Sequence, residues 1–341
     1  MKVLVTGHLG YIGVEAVTVL RAAGHEVVGL DIGFFNDCDF AAPPDPVPEI
    51  KVDLRDVKSS DLKGLDAVVH FAALSNDPLG DLNPNITYDI NQHASVRLAN
   101  AAKDAGVSRF IFSSSCSLYG AGGDGFLDET AAFNPVTPYG ESKILVEQAL
   151  ASLADDSFTP MYLRNATAYG VSRRLRGDIV VNNLVGHAVT TGKVLLQSDG
   201  TPWRPLVHIR DIIAAAAAGL TAPKAAIHNQ AFNIGRNGEN YRIREVANLV
   251  AEIVPNCEVT FAPGASADKR DYRVDFTKAE TKLPGFKPSW TLRAGIEELY
   301  KAYKRSLTAE DWAGPRYFRL KTVKGLQERG VLDYDLRRVA G

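Results

Sequence analysis

Lys2-Val3-Leu4-Val5-Thr6-Gly7-His8-Leu9-Gly10-Tyr11-Ile12-Gly13 opens the chain, and its reading decides the fold. Residues 2–6 form a short β-branched run that suits a buried parallel strand. A G-x-x-G-x-x-G turn follows, made of Gly7, Gly10 and Gly13. Residues 11–23 then carry apolar side chains (Ile12, Ala16, Val17, Leu20, Ala23) near helical spacing, and Gly24 is placed to end that helix. A second strand over 26–30 ends on Asp31. Glycines let the backbone approach a ligand closely. The helix that opens at the turn points free N–H groups and the positive end of its dipole at it, which suits a pyrophosphate. Asp31 at the strand tip is placed to accept hydrogen bonds from the 2′- and 3′-hydroxyls of an adenine ribose and to repel a 2′-phosphate. Glycines alone merely punctuate turns, but strand, turn, helix and acid together predict a dinucleotide site that prefers NAD to NADP.

The bulk of the chain sets the frame. Its 341 residues are 45% hydrophobic and 23% charged, enough for one large domain or two coupled lobes. A formal net charge of −2 gives no general affinity for nucleic acid or anionic membrane. Cys38, Cys116 and Cys257 are widely spaced, so reduced thiols are expected rather than a disulfide framework or a metal site. The first strand begins at residue 2, which leaves no room for a signal peptide, and the apolar stretch 212–220 is too short to span a bilayer. A cytoplasmic protein is expected.

Downstream, the alternation continues. Residues 32–48 read as a surface loop, and 50–53 as a third strand with Asp53 at its tip. There Asp53 either meets an adenine amino group or simply caps a turn. Residues 66–71 are a fourth strand, and Ala72 and Ala73 bring small side chains beside the glycine turn. The loop 74–85, with Ser75, Asn76, Asp77 and Pro78, faces the same edge. A long helix over 86–105 carries Asn91, and residues 109–113 are a fifth strand. Short links between strands and helices imply a parallel sheet covered on both faces, with ligands at the carboxyl ends of its strands.

The fifth strand runs into Ser113-Ser114-Ser115-Cys116-Ser117-Leu118-Tyr119-Gly120, and Pro138-Tyr139-Gly140-Glu141-Ser142-Lys143 opens a helix reaching about residue 153. Tyr139 and Lys143 share a helix face. An ammonium near a phenol lowers the phenol's pKa, and so does a nicotinamidium ring. The phenol then exchanges a proton near neutral pH, and a serine at the strand end shares the same substrate oxygen. A Y-x-x-x-K spacing alone occurs on any helix. Its force here comes from the dinucleotide motif and the serine-rich strand end.

These marks together resemble the extended short-chain dehydrogenase/reductases, in particular the nucleotide-sugar epimerase/dehydratase branch. The resemblance spans about residues 1–305 and rests on Thr6-Gly7-x-x-Gly10-x-x-Gly13, Asp53-Leu54, His70-Phe71-Ala72-Ala73, Asn91, the serine-rich segment through Tyr119-Gly120, and Tyr139-x-x-x-Lys143. It implies an α/β fold: a Rossmann-type doubly wound parallel sheet in residues 1–166, to which 206–236 return. A smaller substrate lobe would occupy 167–305, and 306–341 would form a charged, helical extension. It implies Tyr139 as base, Lys143 as its partner and Ser115 as the catalytic hydroxyl, with Ser114 the nearest rival. The implied NAD set is Gly7, Gly10, Tyr11, Ile12, Gly13, Asp31, Asp53, Leu54, Phe71, Ala72, Ala73, Asn91, Ser113, Tyr139 and Lys143. The implied set for a nucleotide-diphosphate sugar is Ser75, Ser115, Cys116, Ser117, Tyr139, Thr167, Asn183, Arg204 and Arg270. Thr167 stands where the family usually has Asn. Arg204 is the preferred diphosphate ligand, because a guanidinium gives two parallel hydrogen bonds; Arg173, Arg174 and Arg176 read as a solvated run or a phosphate contact, and His208 and Asp211 as structural.

The same resemblance bears on the reaction. Family 4,6-dehydratases carry Asp-Glu directly after the catalytic hydroxyl, where this chain has Cys116-Ser117. A hydroxyl is too weak an acid for that work and an unactivated thiol is poorly matched. Epimerisation, with C4 the expected carbon, needs only Tyr139, Ser115 and retained NAD. A 4-keto-sugar reductase, another net-redox or decarboxylating relative, and a non-catalytic NAD-binding module are the rivals. A homodimer built through the helices around Asn91 and Tyr139 is expected from the family.

Overall fold

The computed structural model describes residues 1–75, 83–266 and 270–339. Its strands in chain order are β1 Lys2–Thr6, β2 Glu26–Leu30, β3 Ala67–His70, β4 Arg109–Ser115, β5 Ala121–Leu127, β6 Thr159–Asn165, β7 Thr167–Tyr169, β8 Lys193–Ser198, β9 Trp203–His208, β10 Gln230–Ile234, β11 Asn240–Arg242, β12 Glu258–Ser266 and β13 Asp271–Val274. The helices that matter for the site are α1 Gly13–Ala22, α2 Ala94–Asp104, α3 Pro138–Leu153, α4 Val180–Thr191, α5 Ile209–Thr221, α6 Ile243–Ile253, α7 Leu292–Ser306, α8 Ala309–Ala313 and α9 Arg319–Glu328.

Six strands form one sheet in the order β10-β6-β4-β3-β1-β2, and every neighbouring pair is parallel. Alternation along the strands sends side chains to two cores. Val3, Val5, Val69, Ile111 and Met161 join Val17 and Leu20 of α1 and Ile212, Ala215 and Ala216 of α5. Leu4, Val28, Val68, Phe110 and Phe112 join Leu98 and Ala99 of α2 and Val146 and Leu150 of α3. Helices on both faces explain why the β1 residues Val3, Leu4 and Val5 are all fully buried. The doubly wound sheet expected from the sequence is present.

A third core holds the second lobe, with Leu184 and Val185 of α4, Leu196 of β8, Val250 of α6, Ile296 of α7 and Trp312 of α8. Three small sheets belong to it or bridge to it: β11-β9-β7, β12-β8 and β13-β5. The extension beyond α7 folds back. Trp312 fills the space over Gly186 of α4, where an added Cβ would fall 2.2 Å from the indole. A small fourth core joins Val323, Leu332 and Leu336 of the extension to Leu74 and Ile86, with Phe34 and Phe35 packed against it.

Two expectations need correction. Residues 50–53 form no strand; the segment makes only a bridge from Glu49 to Gly29, fixed by Gly29 N to Pro48 O and Ile50 N to Gly29 O, both 2.8 Å. Beyond Ile50 the chain leaves β2, and Asp53 instead caps the tight turn Leu54–Asp56. The helix expected over 86–105 is interrupted by a wide π turn at Tyr88–His93. That turn carries Asn91, whose side chain is spent on the backbone of Leu74: Oδ1 accepts from its N–H at 2.7 Å and Nδ2 donates to its carbonyl at 3.1 Å.

Candidate active site

A cleft of about 1070 Å³ runs along the carboxyl ends of the sheet and under the second lobe. At one end lies the glycine turn. Gly10 N donates to Gly7 O at 2.9 Å, and Gly7 has φ +70°. A Cβ on Gly13 would sit 2.0 Å from Gly7 O, and one on Gly7 would sit 2.8 Å from Ala72 N. No side chain fits, so backbone amides and the start of α1 face the cleft as an anion cradle. Tyr11, Ile12, Phe71, Ala72 and Ala73 line it. The Tyr11 hydroxyl donates to Gly170 O at 2.7 Å and ties the turn to the second lobe.

Asp31 directly follows β2, with Oδ1 accepting from Gly33 N at 2.7 Å and Oδ2 from Leu9 N at 3.2 Å. Burial pushes its carboxyl up, against the pull of these amides. Ribose hydroxyl donors would add to that pull. The cradle and this acceptor fit an NAD adenosine diphosphate. Asp53 and Leu54 also line the cleft. The bonds Asp53 makes here are those of a cap: Oδ1 accepts from Arg55 N and Nε, each at 2.9 Å, and Oδ2 from Arg55 Nη2 at 2.7 Å. Burial would raise its carboxyl, but the Arg55 bonds and charge outweigh burial and hold it below its usual value. Arg55 in turn holds the extension, donating to Asp335 O at 2.6 Å and Leu336 O at 3.1 Å.

The middle of the cleft holds the candidate catalytic side chains. Thr137 caps α3 through Gly140 N at 3.2 Å, and Pro138 takes the first turn. This presents Tyr139 and Lys143 together. Lys143 is buried, donates to Ser113 O at 2.7 Å and lies 5.5 Å from the centroid of the Tyr139 ring. Burial lowers its pKa to about 7, partly offset by Glu147. Ser115 ends β4 on the cleft wall and caps the following turn by accepting from Ser117 N at 3.1 Å. Ser114, the rival, donates to Glu147 at 2.6 Å within a buried pair of Glu147 and Arg164 (2.7 Å). That structural bond leaves Ser115 as the better-placed hydroxyl. Ser117 lines the cleft with its buried hydroxyl unpartnered. Cys116 does not line it. It is fully buried, its thiol donates to Arg164 O at 3.0 Å, and burial raises its pKa well above normal. Cys116 opens the tight turn Cys116–Tyr119 that follows β4, and the turn directs its side chain into the core, which corrects its expected contact with substrate.

Ser75, Thr167, Asn183, Arg204 and Arg270 all reach the cleft wall. Arg204, on β9, donates to Trp203 O at 2.8 Å and to the carbonyl of Arg270, which brings the two basic positions together. Asn183 donates to Gly177 O at 2.7 Å. Of the arginine run, Arg173 pairs with Glu15 and Asp45, and Arg174 with Asp39. Arg176 is the one on the cleft wall, paired with Asp178 at 2.8 Å and bonded to the Ser75 hydroxyl at 3.1 Å. His208 stacks on Trp290 and meets Glu298 at 2.9 Å, while Asp211 accepts from Ser289 N and Trp290 N. Both are structural.

Sequence reasoning missed Asn165, Asp178, Phe318, Arg319 and Lys321, which also line the cleft. Asn165 ends β6 beside β4, a position the parallel register alone would have suggested. The extension residues gave no local signal. Asn76, Asp77 and Pro78 lie outside the described residues. Among the described residues no cluster of His, Cys, Asp and Glu could hold a metal ion, and no helix is long and apolar enough to cross a membrane.

Comparison with known proteins agrees with this architecture. The family described as "NAD dependent epimerase/dehydratase family" matches residues 3–235. The chain belongs to that family. It is similar to the UDP-glucose 4-epimerase of Lactobacillus helveticus, at 31% identity over 84% of this chain and 92% of that one. It is also similar to the UDP-glucose 4-epimerase of Corynebacterium glutamicum, at 29% identity over 88% and 95% respectively. Among solved structures, MoeE5 in complex with UDP-glucuronic acid and NAD superposes with a TM-score of 0.77 and 30% identity, over 89% of this chain and 99% of that one. The cofactor of this enzyme is NAD.

Proposed function

We propose that this protein interconverts two nucleoside-diphosphate sugars that differ in configuration at C4. The observation that carries the reading is the meeting of Tyr139, Lys143 and Ser115 in one cleft with the glycine cradle, while the residue after Ser115 is a thiol turned into the core. Tyr139, as phenolate, takes the proton of the sugar hydroxyl and later returns it. The Lys143 ammonium stabilises the phenolate, and Ser115 donates to the same sugar oxygen. Bound NAD supplies the hydride acceptor and donor, so the sugar is oxidised to a ketone and reduced again on its other face. With Cys116 sequestered and Ser117 only a hydroxyl, the positions after Ser115 hold no carboxylate to expel water from C5 and C6. Arg204 and Arg270 would hold the diphosphate, and the relatives' UDP sugars favour a uridine nucleotide.

The site assignments belong to this reading, as does a division into an NAD domain and a substrate lobe. So does pairing of two copies through α2 and α3, measurable by light scattering on the purified protein. Three unpaired cysteines fit a reducing, cytoplasmic setting.

The test is incubation of NAD-loaded protein with UDP sugars, followed by liquid chromatography and mass spectrometry. A new peak of unchanged mass, with no accumulation of NADH, is expected. Loss of water or of carbon dioxide, or turnover that consumes stoichiometric nicotinamide, would overturn the reading.

A further inference from the structure

The C-terminal extension is clasped to the adenosine end of the cleft. Arg338 donates through Nε to Ile32 O at 2.7 Å and through Nη2 to Gly33 O at 2.8 Å, the two residues that follow Asp31. Arg55, bonded to Asp53, holds the carbonyls of Asp335 and Leu336. Val323 and Leu332 of the extension share a small core with Leu74, against which Phe34 and Phe35 pack.

This clasp places Arg319, the first residue of α9, which is only 4% exposed. Its Nη2 donates to Arg174 O at 2.9 Å, and the guanidinium lies 3.9 Å from the centroid of the Phe35 ring. Phe35 follows shortly after Asp31, the ribose acceptor. The segment that carries Arg174 is bound to the glycine turn and α1: the Ser172 hydroxyl donates to Tyr11 O at 2.7 Å, and Arg173 Nη2 donates to Val14 O at 2.8 Å. Arg319 is therefore fixed between the chain leaving the ribose acceptor and the chain packed on the pyrophosphate cradle. It lines the cleft itself.

The guanidinium is not satisfied there. Nη1 is buried without a hydrogen-bond partner among the described residues. The acids nearby are committed elsewhere, Asp39 to Arg174 and Asp178 to Arg176. A cation is held out of water, at the positive end of a ten-residue helix. Burial, with Arg176 close by, lowers its pKa to about 10. An anion bound alongside relieves each of these costs. The glycine turn meets a pyrophosphate with amides and roughly half a positive charge from the helix dipole, and its own residues, Gly7 to Gly13, carry no Lys or Arg. Other cations on the cleft wall are engaged. Arg55 and Arg176 pair with Asp53 and Asp178, Lys143 donates to Ser113 O beside Tyr139, and Arg204 is turned to the carbonyl of Arg270.

We propose that Arg319, delivered by the C-terminal extension, is a ligand of the NAD pyrophosphate, so that the extension completes the cofactor site. The clasp on Ile32, Gly33 and Arg55 then holds NAD in place between turnovers. The assignment stands on the NAD site and does not depend on the identity of the sugar.

The experiment is calorimetric titration of the full chain, freed of nucleotide on charcoal, with NAD and separately with UDP. Arg319→Gln is expected to bind NAD at least about tenfold more weakly than wild type, the loss of one charged hydrogen bond, while UDP affinity stays within about twofold. Arg319→Lys keeps a point charge without the planar fork and recovers at least about threefold of that loss. The amount of NAD that co-purifies with each protein should fall in the same order. A dissociation constant reports on folded protein alone, and Arg319→Met supplies a second neutral form if Arg319→Gln does not fold. NAD affinity within about threefold of wild type in the neutral forms overturns the proposal. So does an Arg319→Lys protein no better than Arg319→Gln, because packing rather than charge then accounts for the loss. A fall in UDP affinity as large as that in NAD affinity overturns it as well, because Arg319 then serves the substrate or the whole cleft.

Discussion

The cofactor end of the cleft comes mainly from one short stretch, residues 2–31, with Phe71, Ala72 and Ala73 beside it, and at Gly7 and Gly13 backbone geometry leaves no room for a side chain. The proposed sugar end draws on Arg176, Arg204 and Arg270, and Arg319 lines the cleft as well, so that four separate parts of the chain meet there. The first end recognises its ligand with amides that secondary structure orients. The second uses long, charged side chains that must be held by contacts made elsewhere, such as Arg204 on the carbonyl of Arg270. The lesson is that the shared chemistry of a fold is encoded locally, whereas the choice of substrate is encoded in packing between distant segments.

Substitutions can break or sharpen this contrast. Tyr139 stands where the two ends meet, and Tyr139→Phe should show the largest effect. It removes the proton acceptor and slows turnover by about 10²- to 10⁴-fold, read as the rate of product formation in the chromatographic assay. A loss below tenfold would place the proton chemistry on another residue. Gly13→Ala attacks the cofactor end alone. Its methyl would meet Gly7 O at 2.0 Å. Overpacking of about 1–3 kcal/mol corresponds to roughly 5- to 150-fold weaker NAD binding, seen as NAD lost on gel filtration. Full NAD retention would mean the turn is more plastic than its backbone contacts imply.

Arg204→Lys probes the sugar end alone. The charge remains, but the planar guanidinium, whose Nη1 reaches both Trp203 O and Arg270 O, is gone. UDP affinity should fall by roughly 5- to 10-fold with NAD binding intact, measured by calorimetry. An equal loss for NAD would show that the two ends are not independent.

The smallest effect is on stability. His70 is buried with Nδ1 on Thr6 and Nε2 on Ser95, and burial, reinforced by Lys143, lowers its pKa from 6.5 to about 3. The unfolded chain therefore binds the extra proton first. His70 contributes stability that is complete above pH 6.5 and is lost as pH falls from there through about 3. Urea midpoints at pH 6.5 and pH 4.5 should diverge more in wild type than in His70→Gln; equal divergence would show that other groups govern the acid transition.

The chain's legibility follows the same line. The strands 2–6 and 26–30 and the helix 138–153 can be read from the sequence because their apolar patterns and caps are local. The false strand over 50–53 looked equally local. The segment meets β2 only at the bridge between Glu49 and Gly29, and Asp53 is taken up by the cap of the turn Leu54–Asp56. Cys116 differs from its expected place for a related reason: it opens the tight turn Cys116–Tyr119 after β4, and its thiol finds the carbonyl of Arg164, forty-eight positions away. Asn91 was recognised as special, but its partner Leu74 lies seventeen positions away on another element.

By itself the sequence determined the doubly wound sheet, the glycine cradle, the carboxylate at Asp31 and the Tyr139–Lys143 face. Each follows from backbone propensity and side-chain periodicity within a few turns of chain. Tertiary structure alone decided that Ser114 is tied to Glu147, that Arg55 and Asp53 anchor the extension rather than standing open, and that Arg319 reaches the cleft. The physical reason is that a buried charge or hydroxyl takes its meaning from the partner it finds, and these partners are supplied by folding rather than by sequence order.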